Sequence, residues 1–135
     1  MATFRNDYKM GKSQEMNILE TIRRYFNDDI NSSLDKFSPY DYVGQHYVYE
    51  LKSRNNVYKA YPTTLIGGDK IIEGKPQIFL FKFLDGLYYI EKNEDLFKTF
   101  VKEDFVRHKR TDFIDIKKKY IFIPIDQLKK IENVI

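Results

Sequence analysis

Residues 39–54 read Pro39-Tyr40-Asp41-Tyr42-Val43-Gly44-Gln45-His46-Tyr47-Val48-Tyr49-Glu50-Leu51-Lys52-Ser53-Arg54. Gly44 stands between two β-rich arms and is the natural place for the chain to reverse. The reading is a hairpin, with Phe37 to Val43 paired against Gln45 to Ser53. Strand side chains alternate between faces, so Tyr47, Tyr49 and Leu51 share one face and Val48, Glu50 and Lys52 the other. Asp41 ends the first arm, and the turn brings its carboxylate and that of Glu50 to one edge of the sheet. Lys52 adds an amine two residues along the face of Glu50.

Upstream, Ser13 to Phe26 is predicted to be a helix: Met16, Leu19, Ile22 and Phe26 recur at helical spacing, supported by Ile18 and Tyr25, behind Gly11 and a Ser13 cap. Downstream, Tyr61 to Ile66 reads as a short strand, and Gly67-Gly68-Asp69-Lys70 opens a short helix ending near Gly74. QIFLFKFL, Gln77 to Leu84, is apolar on both faces and reads as a central strand, joined through Asp85-Gly86 to LYYIEKN as a second hairpin. Asn93 is expected to cap a helix from Glu94 to Val106. KYIFIPI then forms a last strand, and Asp126 caps a terminal helix. This order predicts an α/β fold, a sheet with helices packed on its faces.

The chain has 135 residues, with 42% hydrophobic and 16% aromatic, which is enough for one packed domain, residues 1–135, and too short for two ordinary ones. Its net charge of +3 is not that of a uniformly basic nucleic-acid coat, so any affinity for nucleic acid rests on local clustering. Cysteine is absent, which removes disulfides, thiolate ligands and cysteine nucleophiles and suits a reducing compartment. The N-terminal stretch MATFRNDYKMGK has no signal-peptide pattern, and no run of about 18 apolar residues occurs anywhere. A soluble protein of the cytoplasm or of the nucleoid or nucleus, without membrane attachment, is expected.

Hydrolysing a phosphodiester at neutral pH requires a strong nucleophile and compensation of charge building on the phosphate oxygens. A hard divalent cation held by carboxylates supplies both, and the Lys52 ammonium is placed to orient the attacking water and steady the developing charge. On these residues the stretch 39–54 resembles the core motif of the PD-(D/E)xK nuclease superfamily, with Asp41 as its first acid and Glu50-Leu51-Lys52 as its E-x-K. The sequence departs from that pattern in placing Tyr40 between Pro39 and Asp41, which leaves the metal-binding carboxylate intact. The resemblance implies a restriction-endonuclease-like α-β-β-β-α-β core, with a mixed central sheet flanked by helices. It implies Mg²⁺ or Mn²⁺ held by Asp41, Glu50 and the Leu51 carbonyl, with a further acid on the first helix matched by Glu15. On a helical wheel Glu15 lies along the stripe of Leu19, Ile22 and Phe26, whereas Glu20 points away. Lys70 matches the family's lysine beyond the third strand. The implied activity is a metal-dependent endonuclease cutting DNA. Small size without an added recognition domain is similar to Holliday-junction-resolving or structure-selective members, which often act as homodimers. The alternative is a noncatalytic nucleic-acid-binding or assembly domain with the same fold.

Each of these residues has a plainer role to be weighed. Glu50 and Lys52 suit the solvated face of an edge strand, Asp41 suits a turn, and Glu15 suits the first turn of a helix dipole. The triplets Glu73-Gly74-Lys75 and Asp115-Ile116-Lys117 repeat the acid-x-lysine pattern without a turn-linked acid before them. Arg54, Lys59 and Lys70 are candidate phosphate contacts, with Tyr58 and Tyr61 for stacking. The basic residues Arg107, Lys109, Arg110 and Lys117 to Lys119 read first as a solvated loop and second as a backbone grip. His46 and His108 are too isolated for a zinc site, and Gly67-Gly68 lacks the spacing of a phosphate or dinucleotide loop.

Overall fold

In the first helix, α1, Ile18 and Ile22 fall on one side and are buried, with Leu19 and Phe26 packed against the same cluster. The computed structural model describes residues 18–33, 38–108 and 115–132, and α1 is described over 18–26. It stops at Asn27, whose φ of 48° is the left-handed turn that asparagine tolerates better than most side chains.

The strands that follow are β1 (Asn31–Ser32), β2 (Tyr42–Val43), β3 (Val48–Ser53), β4 (Thr63–Gly67), β5 (Gln77–Phe83) and β6 (Gly86–Glu91). After a short helix α2 (Glu94–Lys98) come β7 (Lys102–His108), β8 (Asp115–Pro124) and β9 (Lys129–Lys130). Among the described residues they form a six-stranded sheet of order β1-β2-β3-β5-β6-β9 and a three-stranded sheet of order β4-β8-β7. The pairing of β3 with β5 is parallel and the others are antiparallel, so the larger sheet is mixed. A parallel pair needs a crossover, and here it runs through residues 54–76, which place β4 in the second sheet before returning to β5.

Alternation along β5 feeds two apolar layers. Ile78 and Leu80 join Tyr49, Leu87 and α1 on one side. Phe79, Phe81 and Phe83 face Ile66, Ile121 and Ile123 of the smaller sheet and Phe97 of α2 on the other. Leu80, Phe79 and Phe81 are fully buried, as a strand covered on both faces requires. The sequence expectation of a central strand at QIFLFKFL holds, and so does the hairpin joining it to the next strand. Its loop is Leu84-Asp85, one residue ahead of Asp85-Gly86, because Phe83 pairs with Gly86.

Other expectations are corrected. The helix predicted from Glu94 to Val106 ends at Lys98. Thr99 turns its hydroxyl onto the Leu96 carbonyl, and Lys102–His108 instead pairs residue for residue with β8; long-range pairing overrides local helix preference. The terminal helix after Asp126 is a single 3-10 turn, Ile125–Gln127. β9 then pairs with Tyr88 and Tyr89 along the edge of β6, satisfying amides that edge would otherwise leave open. The helix expected to run to Gly74 is likewise one 3-10 turn, Gly68–Lys70. Helices do not cover both faces of the larger sheet: α1 lies on one, and the smaller sheet with α2 covers the other. The result is a mixed α/β arrangement of two sheets with few helices.

Candidate functional site

Pairing of Tyr42 with Tyr49 and of Val43 with Val48 makes the predicted hairpin real, though shorter than expected. Its turn is held from below by Asp28, which lies just beyond α1 and is only 7% exposed. The Asp28 carboxylate accepts the Gln45 amide at 2.8 Å, the His46 amide at 3.3 Å and the Tyr49 hydroxyl at 2.8 Å. Burial alone would push its carboxyl up, but these three donors, together with the charge of His46, hold it below the usual carboxylate value. The same burial and the neighbouring carboxylate push the Tyr49 hydroxyl far up, so it stays a neutral donor. Gly44 is obligatory here, because a Cβ would lie 2.1 Å from Asp28 Oδ2.

Beyond the paired residues Asp41 stays fastened to β3. Its amide donates to the Tyr49 carbonyl at 2.9 Å, and its carboxylate Oδ2 accepts the Leu51 amide at 2.8 Å. Next to Leu51 is Glu50, buried at 6% exposure on the face turned toward the crossover. Glu50 Oε1 lies 3.3 Å from Lys52 Nζ and 3.5 Å from Lys70 Nζ. Burial raises the Glu50 carboxyl above the ordinary carboxylate range, and the negative charge of Asp41 raises it further; Lys70 and Lys52 pull the other way without cancelling the rise. Two carboxylates are thus close enough to oppose each other's ionisation, with two amines beside them.

Lys70 reaches this point because the crossover is tied down. Gln77, 3% exposed, heads β5 opposite Val48. Its carboxamide accepts the Ile72 amide at 2.8 Å and donates to the Lys70 carbonyl at 2.8 Å. Lys92 adds a hydrogen bond to the Ile72 carbonyl. At the rim, Lys75 Nζ sits 5.3 Å from the centre of the Tyr40 ring, a cation-π contact between the far end of the same loop and the residue before Asp41.

No family model, curated protein or solved structure matches the chain. Its chemistry is therefore read from the site itself.

The structure brings together Asp41, Glu50, Leu51, Lys52 and Lys70, while Glu15 lies outside the described residues. Arg54 shares the face of Glu50 and Lys52 but is directed to β4, donating through Nε to Thr64 Oγ1 at 3.1 Å and through a terminal nitrogen to the Leu65 carbonyl. Lys59 and Tyr61 sit exposed in the segment between β3 and β4. Tyr58 is committed to packing, its ring stacked on Tyr88 at 4.1 Å and its hydroxyl bound to the Ile125 carbonyl. Sequence reasoning missed Asp28 and Gln77. Gln77 left a trace, as the one polar side chain opening an apolar strand, whereas Asp28 resembled any acid at a helix end.

Among the described residues no group of three or more His, Cys, Asp and Glu gathers as a metal cluster. The donors at hand are two carboxylates and a carbonyl. In a strand the N–H and C=O of one residue face the same side, so the Leu51 carbonyl faces the edge where Asp41 receives its amide. These are hard oxygen donors, and Mg²⁺ is commonly held by one or two carboxylates with water completing its shell. A cation between them would also relieve the repulsion that raises the Glu50 carboxyl. The residues fit such an ion. No helix among those described is long and apolar enough to cross a membrane.

Proposed function

We propose that this protein is a divalent-cation-dependent endonuclease hydrolysing phosphodiester bonds in DNA, with its centre at Asp41, Glu50, Lys52 and Lys70. The observation that carries this reading is a single one. A buried carboxylate opposed by a second carboxylate lies within ion-pair distance of two amines from different elements. A buried acid opposed by a second acid is an arrangement that active sites use to shift a carboxyl.

Asp41, Glu50 and the Leu51 carbonyl would hold Mg²⁺ or Mn²⁺, with Glu15 a further acid implied by the family resemblance. The ion, when bound, supplies a water of lowered pKa and charge compensation on the phosphate. Lys70 and Lys52 oppose the rise that burial and the charge of Asp41 impose on the Glu50 carboxyl. With the charge of Glu50 taken up by an ion, both amines would be free to orient the attacking water and to stabilise negative charge on the phosphate oxygens. Asp41 is fixed by the Leu51 amide, so its second oxygen is already oriented and costs little ordering on binding. Selectivity for branched or structured DNA, action as a homodimer and work in the cytoplasm or nucleus extend the same proposal.

Supercoiled, branched and single-stranded DNA incubated with Mn²⁺ tests it. Lys52→Ala and Asp41→Ala are each expected to lower the cleavage rate at least 100-fold. Cleavage that survives both substitutions places the centre elsewhere, and no cleavage of any substrate favours a noncatalytic nucleic-acid-binding module.

A further inference from the structure

Arg54 carries a full positive charge in a half-buried position where, among the described residues, no carboxylate balances it. Its described partners are the neutral oxygens of Thr64 and Leu65 and the face of the Phe81 ring, 5.8 Å away. Burial without a counter-charge lowers its affinity for a proton, though a guanidinium stays charged in any case. Buried cations are ordinarily paired, and three of the five guanidinium N–H groups remain uncommitted to those two oxygens.

The surroundings say what the missing anion is attached to. Arg54 lines a cleft of ≈ 420 Å³ whose walls include Asn56, Tyr58, Tyr61, Thr64 and Phe83, within the range of sites for small organic ligands. Tyr61 stands at its mouth, 62% exposed, with neither hydrogen bond nor ring contact among the described residues. An exposed tyrosine beside an unbalanced guanidinium is the pairing by which proteins stack a base and hold its phosphate. The cleft also continues the catalytic face. Glu50, Lys52 and Arg54 alternate along one side of the β3 line, about 6.7 Å apart at each step, so an anion on Arg54 lies about one nucleotide from a phosphate at Lys52.

We infer that Arg54, Tyr61 and the cleft beneath them form a nucleotide subsite, which holds the phosphate and unpaired base of the residue next to the bond being cut. The inference rests on the nuclease reading for its place in the reaction, but not for the binding itself. An unpaired base is required because the cleft lies between the two sheets, with Tyr58 stacked on Tyr88 as its wall, and takes one base edge-on rather than a duplex. The substrate is therefore single-stranded or frayed where it meets the protein.

The test is binding without metal, which leaves catalysis out of the readout. Thymidine 5′-monophosphate, thymidine and inorganic phosphate are titrated separately into isotopically labelled full-length protein and followed by NMR. The monophosphate should shift the Arg54 Nε–H and the Tyr61 amide, phosphate should shift Arg54 alone, and thymidine should shift neither appreciably. Arg54→Gln should weaken the monophosphate at least tenfold. Tyr61→Ala, at an exposed position that folding does not need, should weaken it about threefold and leave inorganic phosphate unchanged. Shifts confined to other regions, or a Tyr61→Ala protein that binds as wild type, overturn the subsite, even if Arg54→Gln does not fold. A protein that binds the monophosphate here but never cleaves DNA retains the subsite and loses the nuclease. Lys52-dependent cleavage with no binding in the cleft gives the reverse.

Discussion

Replacing Asp28 with asparagine keeps the size of the side chain while removing the charge on which the β2–β3 turn rests. In the native protein this carboxylate accepts three hydrogen bonds, from the Gln45 and His46 amides and the Tyr49 hydroxyl. Bonds to a charged acceptor contribute about 1.5–3 kcal/mol each. The asparagine carbonyl still accepts one or two of them, and losses at one acceptor do not add, so Asp28→Asn should cost about 2–4 kcal/mol at neutral pH. The sign with pH follows from the lowered carboxyl. Because Asp28 ionises more readily in the folded chain than in the unfolded one, its stabilisation is complete above the ordinary carboxylate range and is lost as pH falls through the lowered folded value. Urea unfolding of wild type and variant at pH 7 and again near pH 3 measures both quantities. The gap should be largest at pH 7 and shrink in acid, where the unfolded chain takes up the Asp28 proton before the folded one does. A gap that stays constant with pH, or one under about 0.5 kcal/mol at pH 7, refutes the clamp.

Gly44→Ala should destabilise the same turn by about 1–3 kcal/mol, since its Cβ would lie 2.1 Å from Asp28 Oδ2 and 3.1 Å from the Tyr49 ring; in Asp28→Ala most of that penalty should vanish, as a double-mutant cycle in urea would reveal. Gln77→Leu strands the Ile72 amide and the Lys70 carbonyl, at about 1–3 kcal/mol for two part-buried groups. It should also lower Mn²⁺-dependent cleavage more than the stability loss explains, rescued in part by Gln77→Glu but not by Gln77→Met. Glu50→Gln should abolish cleavage yet raise the thermal midpoint of the metal-free protein at pH 7. The folded-state carboxyl of Glu50 is raised, so its favourable contribution is full only below the unfolded value and is lost as pH rises through the folded one; a midpoint lower than wild type at pH 7 contradicts this.

The parts of the fold legible in the sequence are those decided within a few residues of each other. Alternation along Val48–Ser53 placed Glu50 and Lys52 on one face, and they do lie together. The unbroken apolar run of β5 marked a strand covered on both sides. What escaped was decided at long range. Lys102 to His108 alternates weakly and follows a genuine helix cap at Asn93; only β8, arriving after residue 115, makes it a strand. The stretch after Asp126 has a helix start signal, but the open edge of β6 claims Lys129 and Lys130. Lys70 was legible as a basic residue near the site and through resemblance, but not as a partner of Glu50, because what ties its loop there is Gln77, seven residues on, and no periodicity links a loop lysine to the first residue of a following strand. Arg54 was legible as a basic residue near the site, but the lack of a counter-charge among its described neighbours was not, since that depends on what the crossover brings to it.

One side of β3 serves the apolar core and the other carries the proposed site. Tyr49 and Leu51 enter the apolar layer under α1, where Asp28 fixes the turn, so the backbone carrying the acids is anchored from the face opposite the proposed site. Glu50, Lys52 and Arg54 lie on the side facing the crossover, and two of them are met there by its groups: Lys70 for Glu50, Thr64 and Leu65 for Arg54. A crossover is forced by the parallel pairing of β3 with β5, and it is the element that turns an acidic hairpin edge into a mixed-charge centre. Substitutions beneath the hairpin should therefore change stability and activity together, whereas exposed substitutions in the crossover, Tyr61 among them, should change binding with the fold intact.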